Sequence, residues 1–254
     1  MLHRVIPCLL LSDGGLVKTR RFGDRKYVGD PINAIRIFND KEVDELVVLD
    51  IDASRAGRRP DFALIEQFAA ECFMPLCYGG GVRSLDDAEH LFALGIEKVC
   101  LQSAAIERGD LVTQIAQRWG SQAVVVSVDV KRDWRRRPML YHAAREKKLA
   151  LDVRVFLREV VARGAGEILL NAVDRDGMQA GYDLELVKTA SEAVSVPLVA
   201  IGGAGTLGDL RQAIDAGASA VAAGSMFVFH GPHRAVLINY PGYQALESTF
   251  GVAR

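Results

Sequence analysis

Short, nearly continuous apolar runs alternate with amphipathic stretches along the chain. The runs fall at residues 5–11, 46–50, 75–78, 98–101, 123–129, 168–172, 197–201 and 220–223. Unbroken apolarity, in place of strict alternation, predicts parallel strands buried on both faces. Between the runs, segments 84–94, 110–119, 152–163 and 183–193 repeat their apolar positions at helical spacing. Ser84, Asp183 and Thr206 stand where a helix N-cap is expected, and Gly95, Gly120, Gly164 and Gly217 where a helix ends before the next strand. Eight strand–helix units in 254 residues predict a single α/β domain over 1–254, a (β/α)8 TIM barrel rather than an open sheet.

The pattern also repeats. Residues 75–85 align with 197–207 at a spacing of 122 (207 − 85). The same spacing pairs Glu45 with Glu167, Asp52 with Asp174, Gly80 and Gly81 with Gly202 and Gly203, Gly95 with Gly217, and Ser103 with Ser225. The barrel is therefore expected to be two duplicated half-barrels of four units each.

Composition narrows the class of protein. The 31 basic and 32 acidic residues leave a net charge of −1, so no global field steers the chain to nucleic acid or to a membrane surface. No apolar run approaches the roughly 18 residues of a membrane span, and no secretory leader is recognisable, so a cytoplasmic location is expected. Cys8, Cys72, Cys77 and Cys100 form no CxxC pair and are expected to be free and mostly buried. Nothing points to a metal or a cofactor.

Barrels place chemistry at the C-terminal ends of their strands. Gly79–Gly81 and Gly202–Gly203 follow the third and seventh runs, and Ser103 and Ser225 follow the fourth and eighth. Glycine turns can be plain turn chemistry, but two copies in register favour a pair of anion cradles and a ligand with a phosphate at each end. Asp129 closes the fifth run, where packing alone does not call for a carboxylate; it is the first candidate for acid–base work. Asp50 and Asp52 end the second run and read equally as a solvated strand end. Asp174 and Asp176 lie in an Asp-Arg-Asp-Gly stretch that an Asx turn also explains. Matching the fifth run to the first sets Leu10 opposite Asp129, at a spacing of 119 (129 − 10). At the opposite end, Arg4, Glu45, Lys98 and Glu167 begin four of the runs; by themselves they read as a salt-bridge ring closing the core. The segment 131–148 is rich in Lys and Arg, with Trp134 and Tyr141 interleaved, and reads either as a contact for phosphorylated substrate or as a solvated charged loop.

From about Arg4 to Phe229 the chain resembles the cyclase subunit of imidazole glycerol phosphate synthase. The resemblance is carried by Val5-Ile-Pro-Cys-Leu, Asp44-Glu-Leu-Val-Val-Leu-Asp-Ile, Gly79-Gly-Gly-Val-Arg-Ser-Leu, Gly120-Ser-Gln-Ala-Val-Val-Val-Ser-Val-Asp, Gly164-Ala-Gly-Glu-Ile-Leu-Leu, Asp174-Arg-Asp-Gly, Gly181-Tyr-Asp-Leu-Glu-Leu and Gly202-Gly-Ala-Gly. It implies a duplicated barrel with two phosphate sites, a glutaminase partner at the N-terminal face, and ammonia passing through the barrel to a phosphorylated small molecule. By that resemblance Asp129 matches a catalytic aspartate and Lys18 an active-site loop lysine, with Asp50 and Asp176 as further catalytic candidates. Gly81, Gly203 and Ser225 match phosphate-site positions, Gln102 and Ser103 stand where the family has Asn and Thr, and Gly80, Gly177, Gly202 and Gly224 complete the expected cradles. Arg4, Glu45, Lys98 and Glu167 match the charged gate of the ammonia channel, which replaces their reading as a plain structural ring.

The departures are as informative. The family's other catalytic aspartate is Leu10 here, Met178 and Ile201 replace hydroxyl residues, Ala143 and Ala144 replace glycine, and the run from Phe227 to Pro241 is foreign to the histidine-pathway enzyme. Leu10, the Ala-Val-Leu-Ile-Asn-Tyr-Pro tail and the segment Lys26–Pro31 resemble a paralogous subfamily associated with surface polysaccharide. It is thought to deliver ammonia, with a glutaminase and a sugar amidotransferase, for acetamidino-sugar formation. Two alternatives stand beside that expectation: a true cyclase of histidine biosynthesis, and a non-catalytic barrel that binds and activates a glutaminase.

Overall fold

The computed structural model describes residues 3–251. Eight parallel strands form a closed barrel: β1 (Arg4–Ser12), β2 (Leu46–Asp50), β3 (Leu76–Gly79), β4 (Lys98–Leu101), β5 (Val124–Arg132), β6 (Glu167–Ala172), β7 (Leu198–Ile201) and β8 (Ala220–Ala223). Each pairs with the next, and β8 returns to β1. One longer helix follows each strand: α1 (Pro31–Asp40), α2 (Phe62–Glu71), α3 (Leu85–Ala93), α4 (Asp110–Trp119), α5 (Val153–Ala162), α6 (Leu184–Ser191), α7 (Leu207–Asp215) and α8 (Tyr243–Phe250). The eight apolar runs and the four helical segments of the sequence all appear at these places.

Both strand faces are buried, as unbroken apolarity requires. In β5, Val124, Val126 and Val128 join the layer beneath the helices, while Val125 joins an inner cluster with Ile6, Cys8, Val47, Cys77, Cys100, Leu169 and Val199. That inner cluster fills the lumen with small and branched side chains. The cysteines are free, and Cys8, Cys77 and Cys100 are buried in it.

The duplication is written into the strand register. Val5 lies opposite Val221 as Val124 lies opposite Val99, and Leu10 lies opposite Leu49 as Asp129 lies opposite Asn171. The spacing of 122 links 99 with 221 and 49 with 171, so Leu10 and Asp129 are counterparts in the two halves. The helix caps repeat as well: Ser84 and Asp87 form a capping box at α3, and Thr206 and Asp209 form its copy at α7.

Two hairpins rise from the C-terminal face where the sequence pattern shows no strand. Gly15–Arg20 and Gly23–Gly29 continue β1 through a turn with Asp13 at φ 50° and Gly14 at φ 75°, the backbone an Asp-Gly hairpin turn requires. Pro138–His142 and Lys147–Leu149 continue β5, with Asp133 Oδ1 accepting the Arg135 and Arg137 amides at 2.8 Å each. Among the described residues, no helix is long and apolar enough to cross a membrane.

Candidate active site

The strand ends and the loops above them enclose one cleft, with about 1400 Å³ of empty space including its open mouth. Its lining includes every catalytic and phosphate-site candidate: Lys18, Asp50, Asp129, Asp176, Gly80, Gly81, Gln102, Ser103, Gly177, Gly202, Gly203, Gly224 and Ser225. Residues spread over most of the chain meet there because they lie at or beyond the C-terminal ends of the strands of one closed sheet.

Two glycine-lined corners face each other across the cleft. One is formed by Gly80, Gly81, Gln102 and Ser103, where a short helix Ser103–Glu107 begins. The other is formed by Gly202, Gly203, Gly224 and Ser225, at the start of the short helix Ser225–Val228. Glycine is enforced: at Gly80 (φ 118°) a Cβ would lie 2.4 Å from the Asp50 carbonyl oxygen, and at Gly203 (φ 118°) 2.2 Å from that of Gly181. The corners are not equivalent. Gly81 donates its amide to Ser54 Oγ at 3.2 Å. In the other corner, Lys18 reaches over Gly224, whose missing side chain makes room for the ammonium: a Cβ there would stand 2.8 Å from Nζ. Lys18 Nζ donates to the Cys8 carbonyl at 2.6 Å. Burial holds its pKa below that of an ordinary lysine, and the Cys8 and Asp176 side chains oppose this only in part. A cation placed here suits a phosphate in this corner.

Asp129 is 4% exposed and projects into the head of the lumen, with Ser127 Oγ donating to it at 3.2 Å. Burial raises its pKa from 3.8 to about 7; Ser127 works against the rise, the charge of Asp176 adds to it, and Asn171 works against it. A carboxyl poised near neutrality suits proton transfer. The other carboxylates hold loops. Asp176 accepts Thr19 Oγ1 at 2.6 Å and the Phe22 amide at 3.3 Å, locking the first hairpin over the cleft; its pKa is also raised, first by burial. Asp50 Oδ1 caps its own turn, taking the Asp52 and Ala53 amides at 2.9 Å each. The repeat partners Asp52 and Asp174 are structural: Asp52 accepts Ser12 Oγ at 2.6 Å and pairs with Arg25, and Asp174 accepts the Arg132 amide at 2.7 Å. Each ties the strand extension of its own half.

The basic segment stands outside the lining of the cleft. None of its eight cations lines it; only Tyr141, Ala143 and Ala144 of that region do. Arg132 pairs with Asp183 and Glu185, Arg137 with Asp133 and Arg145 with Glu107. The C-terminal run packs against the barrel at two places. Arg234 donates to the Gly177 carbonyl at 3.3 Å and to Gln179 Oε1 at 3.1 Å, and Tyr240 hydroxyl donates to the Val5 carbonyl at 2.8 Å.

At the N-terminal end of the lumen, Arg4 and Lys98 each bridge both Glu45 and Glu167, a closed ring of four charges. Lys98 lies 2.8 Å from Glu45 and 2.9 Å from Glu167. The glutamates are 3% and 5% exposed. Burial disfavours the charge of Lys98, but Glu167 and Glu45 outweigh it and hold its pKa above the usual lysine range.

Residues 4–233 match the family described as histidine biosynthesis protein. A Pseudomonas aeruginosa protein, provisionally named an imidazole glycerol phosphate synthase subunit, is 50% identical over 246 residues, covering 96% of this chain and 98% of its own. The chain belongs to the imidazole glycerol phosphate synthase cyclase family. A provisionally named family member from Leptospira borgpetersenii is 47% identical over 250 residues, covering 97% of this chain and 98% of its own. The imidazole glycerol phosphate synthase subunit of Frankia casuarinae is 43% identical over 230 residues, covering 89% and 90%. Within this family fold, Asn171 is a cleft residue that sequence reasoning does not single out; its one signal is a polar residue inside the otherwise apolar run 168–172.

Proposed function

We propose that this barrel is the ammonia-accepting subunit of a glutamine amidotransferase, redeployed from imidazole glycerol phosphate synthesis to acetamidino-sugar formation in surface polysaccharide. In this reading a glutaminase docks at the N-terminal face, beside the ring of Arg4, Glu45, Lys98 and Glu167. Ammonia enters past the ring, crosses the apolar lumen and leaves at the cleft for a partner amidotransferase, which condenses it with the carbonyl of a sugar N-acetyl group: a C–N bond forms, the C–O bond breaks, and the oxygen departs as water. The observation that carries the reading is Leu10, the counterpart of Asp129 by strand register. Closing and cleaving bonds on a bis-phosphorylated substrate needs proton transfers in both halves of the site, and an aliphatic side chain supplies none. The charged ring is meanwhile complete, as a subunit that still receives ammonia requires.

Phosphate binding by the two glycine corners, with Lys18 at the second, gives the cleft a phosphorylated ligand in either role. The glycines kept in both corners favour a second reading, a working cyclase of histidine biosynthesis. Disrupting the gene in the source organism separates them. Mass spectrometry of the surface polysaccharide should find acetamido groups where acetamidino groups stood, with growth independent of histidine. A histidine requirement with unaltered polysaccharide would sink the redeployment.

A further inference from the structure

The first hairpin and the C-terminal run carry cations that no carboxylate answers. Lys18 and Lys26 are cross-strand partners in the hairpin. Like charges so placed, with Cβ atoms about 5 Å apart, destabilise a strand pair. Lys26 Nζ donates to the Arg234 carbonyl at 3.3 Å and stands 5.0 Å over the Phe229 ring, which the Arg234 guanidinium approaches to 4.4 Å. Arg20 meets Met178 Sδ at 3.9 Å, and Arg234 donates to the Gly177 carbonyl and to Gln179 Oε1. These partners are all neutral. Among the described residues, none of Arg20, Lys26 and Arg234 pairs with a carboxylate, whereas Arg25 of the same hairpin is matched by Asp52. Burial, and then the charge of Arg20, hold Arg234 below the ordinary arginine range. A guanidinium does not shed its proton in a protein, so an anion is what relieves the crowding. The cluster borders the second glycine corner. The turn 177–181, touched by Arg20 on one residue and Arg234 on its neighbours, packs against that corner: Gly181 donates its amide to the Gly203 carbonyl at 2.9 Å, and the Gln179 carbonyl stands 2.7 Å from the place of a Cβ at Gly205. Lys18 stands at the corner itself, over Gly224, and the other three cations stand just outside it.

We propose that Arg20, Lys26 and Arg234 extend the second corner into a site for a diphosphate ester. The inner phosphate rests on the glycines and Lys18, and the outer phosphate on the three outer cations. This deepens, and rests on, the reading of the second corner as a phosphate site. The guanidinium forks suit paired phosphate oxygens, and Lys26 adds a point charge. A monophosphate fills only the inner position.

Titrating the full-length protein with inorganic phosphate and, separately, with pyrophosphate tests this. NMR reads the Gly203 and Ser225 amides at the second corner and the Gly81 and Ser103 amides at the first. Pyrophosphate should bind the second corner about 10-fold or more tightly than phosphate. The first corner, which lacks the outer cations, should show a smaller preference, and so measures what the extra charge of pyrophosphate contributes by itself. Arg234→Gln should weaken pyrophosphate binding at the second corner about 10-fold and shrink the preference there, as loss of a hydrogen bond to a charged group does. Arg20→Gln should do the same; its side chain is exposed, so it serves if the Arg234 variant fails to fold. An equal preference at the two corners, or a preference that survives both substitutions, overturns the proposal. Phosphate binding at the second corner with no gain for pyrophosphate overturns it and leaves the phosphate reading standing. No response of Gly203 and Ser225 to either anion overturns both.

Discussion

Replacing Asp129 by asparagine removes one buried titration and leaves the shape of the site almost unchanged. In the folded chain burial lifts this carboxyl from 3.8 to about 7. Below about pH 4 folded and unfolded chains are both protonated, and the residue makes no difference. Between about pH 4 and 7 the folded chain holds a proton that the unfolded chain releases, so stability falls as pH rises, and it levels off above about 7. The full gap corresponds to a ceiling of about 4 kcal/mol at pH 8, and relaxation of the site around the charge reduces it, to about 2 kcal/mol if half is lost. The neutral amide of the variant carries no such burden. Urea unfolding of both proteins at pH 4 and pH 8, followed by tryptophan fluorescence, measures the effect as a difference of differences, which cancels the other carboxylates. Asp129→Asn should match the wild type at pH 4 and exceed it by about 2–4 kcal/mol at pH 8. Equal differences at the two pH values would refute the reasoning, since a carboxylate already ionised at pH 4 is not desolvated in the way described.

Further outcomes follow from the same geometry. Lys98→Met leaves Glu45 and Glu167 with one cation fewer at buried positions. It should destabilise the fold by on the order of 3 kcal/mol and, in the glutaminase complex, let ammonia escape to solvent while the complex stays intact by size-exclusion chromatography. Gly80→Ala forces a Cβ to 2.4 Å from the Asp50 carbonyl in a left-handed conformation. It should cost about 1–3 kcal/mol and abolish phosphate binding at the first corner, seen by phosphate titration, while the second corner still binds.

Much of this molecule was legible in the chain because its repeats are chemical as well as structural. Apolar runs located the eight strands, and the duplicated glycines and cap residues located the corners. Asp129 stood out because a carboxylate ending an apolar run has no packing purpose. What stayed hidden depended on register or on turns. Leu10 could be matched to Asp129 only through an assumed length change, and strand pairing supplied its justification. Asn171 reads as one polar residue inside a run, since its nearness to Asp129 exists only once β5 and β6 pair. The first hairpin was announced by Asp13-Gly14 but masked by the basic residues on its arms. The charges of 131–148 read equally as a ligand surface or a solvated loop, because partners such as Glu107, Asp183 and Glu185 lie far away in sequence or on another loop.

The account turns on the asymmetry between Leu10 and Asp129, and cyclase turnover measures it directly. The wild-type protein and Leu10→Asp are each mixed with the bis-phosphorylated formimino-aminoimidazole-carboxamide ribonucleotide and ammonium at alkaline pH. The wild type should show little or no turnover, and Leu10→Asp should raise it by about 10²–10⁴, the usual contribution of one acid–base group. Wild-type turnover at the rate of a histidine-pathway cyclase, or a Leu10→Asp variant no faster than the wild type, would contradict the account.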